Sequence, residues 1–138
     1  NENIITFDSD GEHKVSDLNR ILKFFINAKV ELLICNRLNI QRISEKMVNF
    51  FFHHKFHLKD PLTGLKVYKT LLLKKYIKKI KVNFFLVDLA MLICSKNHRV
   101  KNFPIECNVI KNRQPRIGNK FQVNMKILGI LKKIIRNK

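Results

Sequence analysis

Two short apolar runs, Asn3 to Phe7 and Val30 to Cys35, flank a segment in which Leu18, Ile21, Leu22 and Phe25 recur at helical spacing. Continuous rather than alternating apolar runs of this length mark strands buried on both faces. An amphipathic helix between two such strands is the pattern of a right-handed crossover in an α/β sheet. Ser16 is placed to cap the helix, which should end near Asn27. Two strands cannot make a doubly covered sheet, and the chain opens directly in the first of them. The pattern therefore predicts a module that assembles with further elements or continues before Asn1.

Later segments supply more elements. Ile43, Met47, Phe50, Phe51 and Phe56 predict a helix from Gln41 to about Phe56. Lys59 to Lys66 holds Pro61 and Gly64 and reads as a structured turn. Thr70 to Ile80 is a Lys-laden amphipathic helix, and Asp88 to Lys96 is another helix. Val100 to Ile110 alternates imperfectly and favours a strand with Pro104 near its start or on an edge. Gly118 to Lys138 is a basic amphipathic C-terminal helix by period. At 138 residues, with neither repeat nor linker, this is one domain. Its uncharged apolar stretches fall far short of the roughly 20 residues that a membrane-spanning helix needs. Asn1 to Ile5 carries neither a basic n-region nor a long apolar core, so no secretory signal is expected there. Cys35, Cys94 and Cys107 are odd in number, lack CxxC spacing and lie in apolar runs, so reduced thiols in a reducing compartment are expected.

Charge divides the chain. Residues 1–60 carry 9 basic and 8 acidic side chains, whereas residues 61–138 carry 19 and 2. The arrangement suits a first segment that holds a cation and a second that meets anions, although much of the Lys excess can equally be solvated surface. Asp8, Asp10 and Glu12 follow the first strand, with Gly11 among them to turn the backbone tightly. Hard cations such as Mg²⁺ or Mn²⁺ take oxygen ligands of this kind together with substrate phosphates, and ligands of open α/β sheets sit at strand carboxyl ends. The competing account is an acidic turn that caps the next helix.

Phe7-Asp8-Ser9-Asp10-Gly11-Glu12-His13 resembles the Asp-x-Asp-Gly-Gln-His segment of family 2 glycosyltransferases, which have the GT-A fold and include the polyprenyl- and dolichyl-phosphate sugar transferases. Three further blocks resemble that family in order. Cys35-Asn36-Arg37 stands at a strand end, and Asp60-Pro61-Leu62-Thr63-Gly64-Leu65-Lys66-Val67-Tyr68 is similar to its Asp-x-x-Ser/Thr-Gly-Phe-Lys block. Pro104-Ile105 with Arg113-Gln114-Pro115-Arg116-Ile117-Gly118 is similar to its closing segment. Glu12 replaces the usual Gln, Asn36 a small Ser, and Pro115 a common Ser. The family's opening nucleotide-gripping strand and loop do not precede Asn1, so the resemblance implies the C-terminal part of a GT-A domain: three layers around a mostly parallel sheet.

The resemblance further implies inverting transfer of a hexose from a nucleotide-diphosphate sugar to a lipid phosphate or a lipid-linked, cell-envelope glycan. Asp8, Asp10 and Glu12 would hold Mg²⁺ or Mn²⁺ against the departing diphosphate. Arg37, Arg113, Arg116 and His13 would meet donor or acceptor phosphate, while Arg37 can instead pair with Asp60. Asp60, Thr63 and Gly64 would shape the acceptor pocket. Asp88 would serve as general base for a hydroxyl acceptor, its alternative being a helix-start residue favoured by the macrodipole.

The basic second segment fits an anionic membrane surface, with the chain cytoplasmic and peripheral to the inner face of the membrane, where each nearby Lys or Arg contributes on the order of 1 kcal/mol. His53, His54 and His57 cluster without the carboxylate of a zinc-protease motif. A basic nucleic-acid-binding module is the rival from another class, but no recognition signature of one is present and an acidic turn has no use on a phosphate-binding surface. A noncatalytic remnant of a glycosyltransferase is the second rival.

Overall fold

The structure, a computed structural model, describes residues 2–8, 14–40, 42–80, 85–107 and 120–136. In chain order these form β1 (Asn3–Thr6), a 3-10 turn at Val15–Asp17, α1 (Leu18–Asn27), β2 (Leu32–Arg37), α2 (Ile43–Phe56) and β3 (Lys66–Lys69). There follow α3 (Thr70–Ile77), α4 (Phe85–Cys94), β4 (Val100–Ile105) and α5 (Lys120–Arg136). The four strands make one sheet in the order β1-β3-β2-β4.

The chain is α/β, but its sheet is mixed rather than mostly parallel. β3 pairs antiparallel with both β1 and β2, and β2 with β4 is the parallel pair. β1 and β2 therefore point the same way, as a crossover through α1 requires, yet they are not neighbours, because β3 lies reversed between them. The reason β3 escaped the sequence pattern is its length: Lys66-Val67-Tyr68-Lys69 has two apolar residues between two lysines, too short for any alternation to register. Pro104 falls on edge strand β4, opposite Asn36, where a missing ladder donor is tolerated.

Alternation along the strands sorts the core into two layers. Leu33, Cys35, Val67 and Leu65 face Ile21 and Phe25 of α1. Leu32, Ile34 and Tyr68 face the other way, onto Val48 and Phe52 of α2 and residues of α3, α4 and α5. Helices thus cover both faces. Ser16 lies inside the 3-10 turn, and no side-chain cap closes the start of α1. Helix α2 also departs from expectation: it buries Ser44, Val48 and Phe52 and turns Ile43, Met47 and Phe50 outward. Consecutive Phe50-Phe51-Phe52 spreads apolar surface around so much of the helix that period alone cannot choose the inner face.

Cys35, Cys94 and Cys107 form no disulfide; Cys35 is buried and the others are half-buried. Burial pushes the thiols of Cys35 and Cys94 up to about 12. Among the described residues no helix is long and apolar enough to cross a membrane.

The two-layer arrangement separates adjacent residues of α1 by energy. Phe25→Ala should cost about 3–5 kcal/mol, whereas Ile26→Ala, on the solvent side, should cost about 0.5 kcal/mol or less. Urea denaturation of both variants checks this, and equal losses would contradict the layering.

Candidate functional site

The carboxyl ends of β1, β2 and β4 and the amino end of β3 lie at the same end of the sheet, because the register pairs Thr6 with Lys66, Ile34 with Lys66 and Arg37 with Ile105. The chain between α2 and β3 is tied to that end from three sides. Arg37 of β2 grips Asp60 through both Nε to Oδ2 (2.8 Å) and Nη2 to Oδ1 (3.0 Å), and the Arg37 backbone N–H donates to the same Oδ2 at 2.9 Å. Asn49 Oδ1 of α2 accepts from the Asp60 N–H at 2.6 Å. Asn102 of β4 accepts from the Lys59 N–H at 2.7 Å and donates to the Lys59 carbonyl at 2.9 Å.

Asp60 adopts a left-handed backbone, φ 50°, which Asp tolerates better than most residues. Its carboxylate is almost wholly buried. Such a charge is sustained only when paired and hydrogen-bonded, and the guanidinium fork with the main-chain N–H supplies both. Glu45 meets the same Nη2 of Arg37 at 3.3 Å and also meets Arg42 at 3.4 Å. The Arg37 cation is thus engaged by two carboxylates.

The turn then folds against β1. Thr6 Oγ1 donates to the Gly64 carbonyl at 2.7 Å. A Cβ on Gly64 would overlap the Asp8 carboxyl group, so the absence of a side chain at Gly64 is what lets Asp8 occupy its place. Thr63 is buried; its hydroxyl accepts from the Leu65 N–H at 3.3 Å, and its carbonyl accepts from the Lys66 ammonium.

Lys66 is the functional candidate that sequence reasoning missed. It is 0% exposed at the start of β3. Burial pulls its ammonium down to about 8, opposed by the carboxylates of Asp60 and then Asp8, with Arg37 adding to the depression. The signal available in sequence was its place at the lysine of the block from Asp60 to Tyr68, but nothing in the residues marked that lysine as buried. Glu45, Asn49 and Asn102 were missed as well. Asn102, a poor strand former inside a strand, was the one with a legible oddity.

Of the residues singled out from sequence, Asp8, Arg37, Asp60, Thr63 and Gly64 come together at this end of the sheet. Asp88 lies half-buried in the first turn of α4, an element that contributes none of the contacts just described. Asp10, Glu12, His13, Arg113 and Arg116 lie outside the described residues. Among the described residues no group of three His, Cys, Asp or Glu is placed to hold a metal ion. Asp8 by itself supplies oxygen-donor chemistry that suits Mg²⁺ or Mn²⁺ as one ligand, in a position kept open by Gly64. His53 and His57 meet edge to face, one helical turn apart.

No protein-family model matches the chain, and no curated protein matches it in sequence.

The buried ammonium has a pH signature. In the unfolded chain Lys66 holds its proton to about 10.5, and in the folded chain to about 8. Between these values the unfolded state binds more protons, so this group makes stability rise with pH. Cys35 and Cys94, raised in the fold, act oppositely between about 9 and 12. Comparison with Lys66→Met isolates the lysine. Relative to the variant, the wild-type chain should gain up to roughly 3 kcal/mol from pH 7.5 to 10.5. A flat difference in chemical denaturation would mean that no depressed ammonium is buried there.

Proposed function

We propose that the chain is part of a metal-assisted glycosyltransferase of the family 2, GT-A kind, moving a hexose from a nucleotide-diphosphate sugar to a lipid phosphate or a lipid-linked glycan. The observation that carries this proposal is spatial. The described parts of the blocks that resemble the family, Asp8, Asn36-Arg37, Asp60 to Lys66 and Pro104-Ile105, lie together at one end of the sheet although almost 100 residues separate the first from the last. Asp8 lies against Gly64, Arg37 grips Asp60, and Pro104-Ile105 is in register with Asn36-Arg37. A chance scatter of short motifs has no reason to converge in this way.

In the proposed reaction the bond between the anomeric carbon and the diphosphate oxygen breaks as an acceptor oxygen attacks from the opposite side. Asp8, with Asp10 and Glu12 of the same segment, would hold Mg²⁺ or Mn²⁺, which supplies neutralisation of the charge developing on the leaving diphosphate. Gly64 leaves the room that the Asp8 carboxylate occupies. The Arg37–Asp60 pair fixes the turn that carries Thr63 and Gly64 beside the acceptor. With the Arg37 fork committed to Asp60 and Glu45, contact with donor or acceptor phosphate falls mainly to Arg113, Arg116 and His13. A lipid phosphate is already an anionic nucleophile and needs no base, whereas a sugar hydroxyl would lose its proton to Asp88. The excess of basic residues after position 60 would hold the protein on an anionic cytoplasmic membrane surface.

Radiolabelled nucleotide sugars screened against polyprenyl phosphate and lipid-linked glycans test the proposal with the native protein. Transfer should require Mn²⁺ or Mg²⁺. Asp10→Ala should lower it on the order of a hundredfold or more with the fold retained. Undiminished transfer by that variant would remove the acidic turn from the mechanism.

A further inference from the structure

Helix α2 carries an apolar stripe that the core does not use. Ile43, Met47 and Phe50, at spacings of four and three, are 77%, 42% and 68% exposed. They lie on one side of the helix, well away from the buried side formed by Ser44, Val48 and Phe52. Helix α5 packs alongside, and Ser44 Oγ of α2 bonds Asn124 Oδ1 of α5 at 2.8 Å, which fixes the seam between them. Ile43 and Met47 stand one position before and three after Ser44, while Met125 and Leu128 stand one and four after Asn124. Val48, Phe52, Ile127 and Ile130 of the two helices lie in the core, whereas Ile43 and Met47 of α2 and Met125 and Leu128 of α5 are exposed. Ile43, Met47 and Phe50 thus form an apolar stripe on α2, beside a helix that exposes two further apolar side chains.

The charges around the strip have one sign. Lys46 on α2 and Lys126, Lys132 and Arg136 on α5 are exposed. Helix α5 has no acidic residue, and the one acid of α2, Glu45, is turned inward onto Arg37 and Arg42. Exposed apolar side chains bordered by cations, with acids withdrawn, complement a surface that is apolar below and anionic above. A second copy fits poorly, since it would bring a chain of formal charge +18 against another.

We propose that the α2–α5 seam is the face by which this protein docks on an anionic lipid bilayer, with Ile43, Met47 and Phe50 entering the headgroup boundary. The proposal deepens, and rests on, the part of the proposed function that places the chain at a membrane surface; it is independent of sugar transfer.

Co-sedimentation with vesicles of phosphatidylcholine, with and without phosphatidylglycerol, tests it on the full chain. Wild type should bind the anionic vesicles and be weakened by salt. Ile43→Gln/Met47→Gln/Phe50→Gln, with its circular dichroism unchanged, should lose about tenfold or more in affinity. Leu71→Gln, an exposed apolar residue on the basic helix α3, should lose almost nothing. Because the chain has no Trp, Phe50→Trp supplies a single reporter whose emission should shift to the blue on anionic vesicles. Failure of wild type to bind overturns both the surface reading and this face. Equal binding by wild type and the triple variant, with no shift from the reporter, overturns the face alone. A wild-type dimer that the triple variant converts to monomer, without vesicle binding, assigns the stripe to self-association and also overturns the proposal.

Discussion

The buried pair between Arg37 and Asp60 is the constraint on which this end of the molecule depends. A carboxylate removed from water is costly, and its partner must reach it with good geometry. Here the partner is the last residue of a core strand, so the pair cannot form unless the turn after α2 returns to the end of β2. Glu45, in the first turn of α2, and Asn49, one turn further, close around the same spot. Polar groups on β2, α2, β4 and the turn therefore satisfy one another in a single arrangement, and that arrangement brings Gly64 to Asp8.

The consequence is a strand end at which charge is concentrated but balanced. Asp60 and Glu45 pair directly with Arg37, while the carboxylates of Asp60 and Asp8 act on the buried Lys66. Adding a cation beside Asp8 would change the field felt by Lys66 and so raise the cost of keeping its ammonium buried. Metal occupancy and the packing of the 60–66 turn are thus linked through one electrostatic network in this account, and the turn is the part proposed to line the acceptor.

How much of this could be read from the residues differs by kind of signal. The apolar run of β2 and the spacing within α1 were legible because burial on both faces and helical period leave strong patterns, whereas the run of β1, expected to be buried on both faces, is a half-buried edge strand paired antiparallel with β3. The mixed sheet was not, since its cause is a four-residue strand with a lysine at each end, and pairing partners leave no local trace. The outward stripe of α2 was hidden by aromatic residues that serve either face. Asp8, Arg37, Asp60, Thr63 and Gly64 were found by motif order. Lys66 stood within one of the motif blocks, but its burial needed the fold, because tertiary packing alone takes it out of water.

The central claim is that the carboxylate at the end of β1 receives a bivalent cation against a diphosphate. Isothermal calorimetry of Mn²⁺ titrated into the native protein in the presence of UDP or GDP addresses it most directly, with Asp8→Asn as the matched variant, which preserves the side-chain shape against Gly64. The account predicts one saturable binding event that requires the nucleotide and disappears in the variant. An absence of binding, or the same affinity in Asp8→Asn, would contradict it.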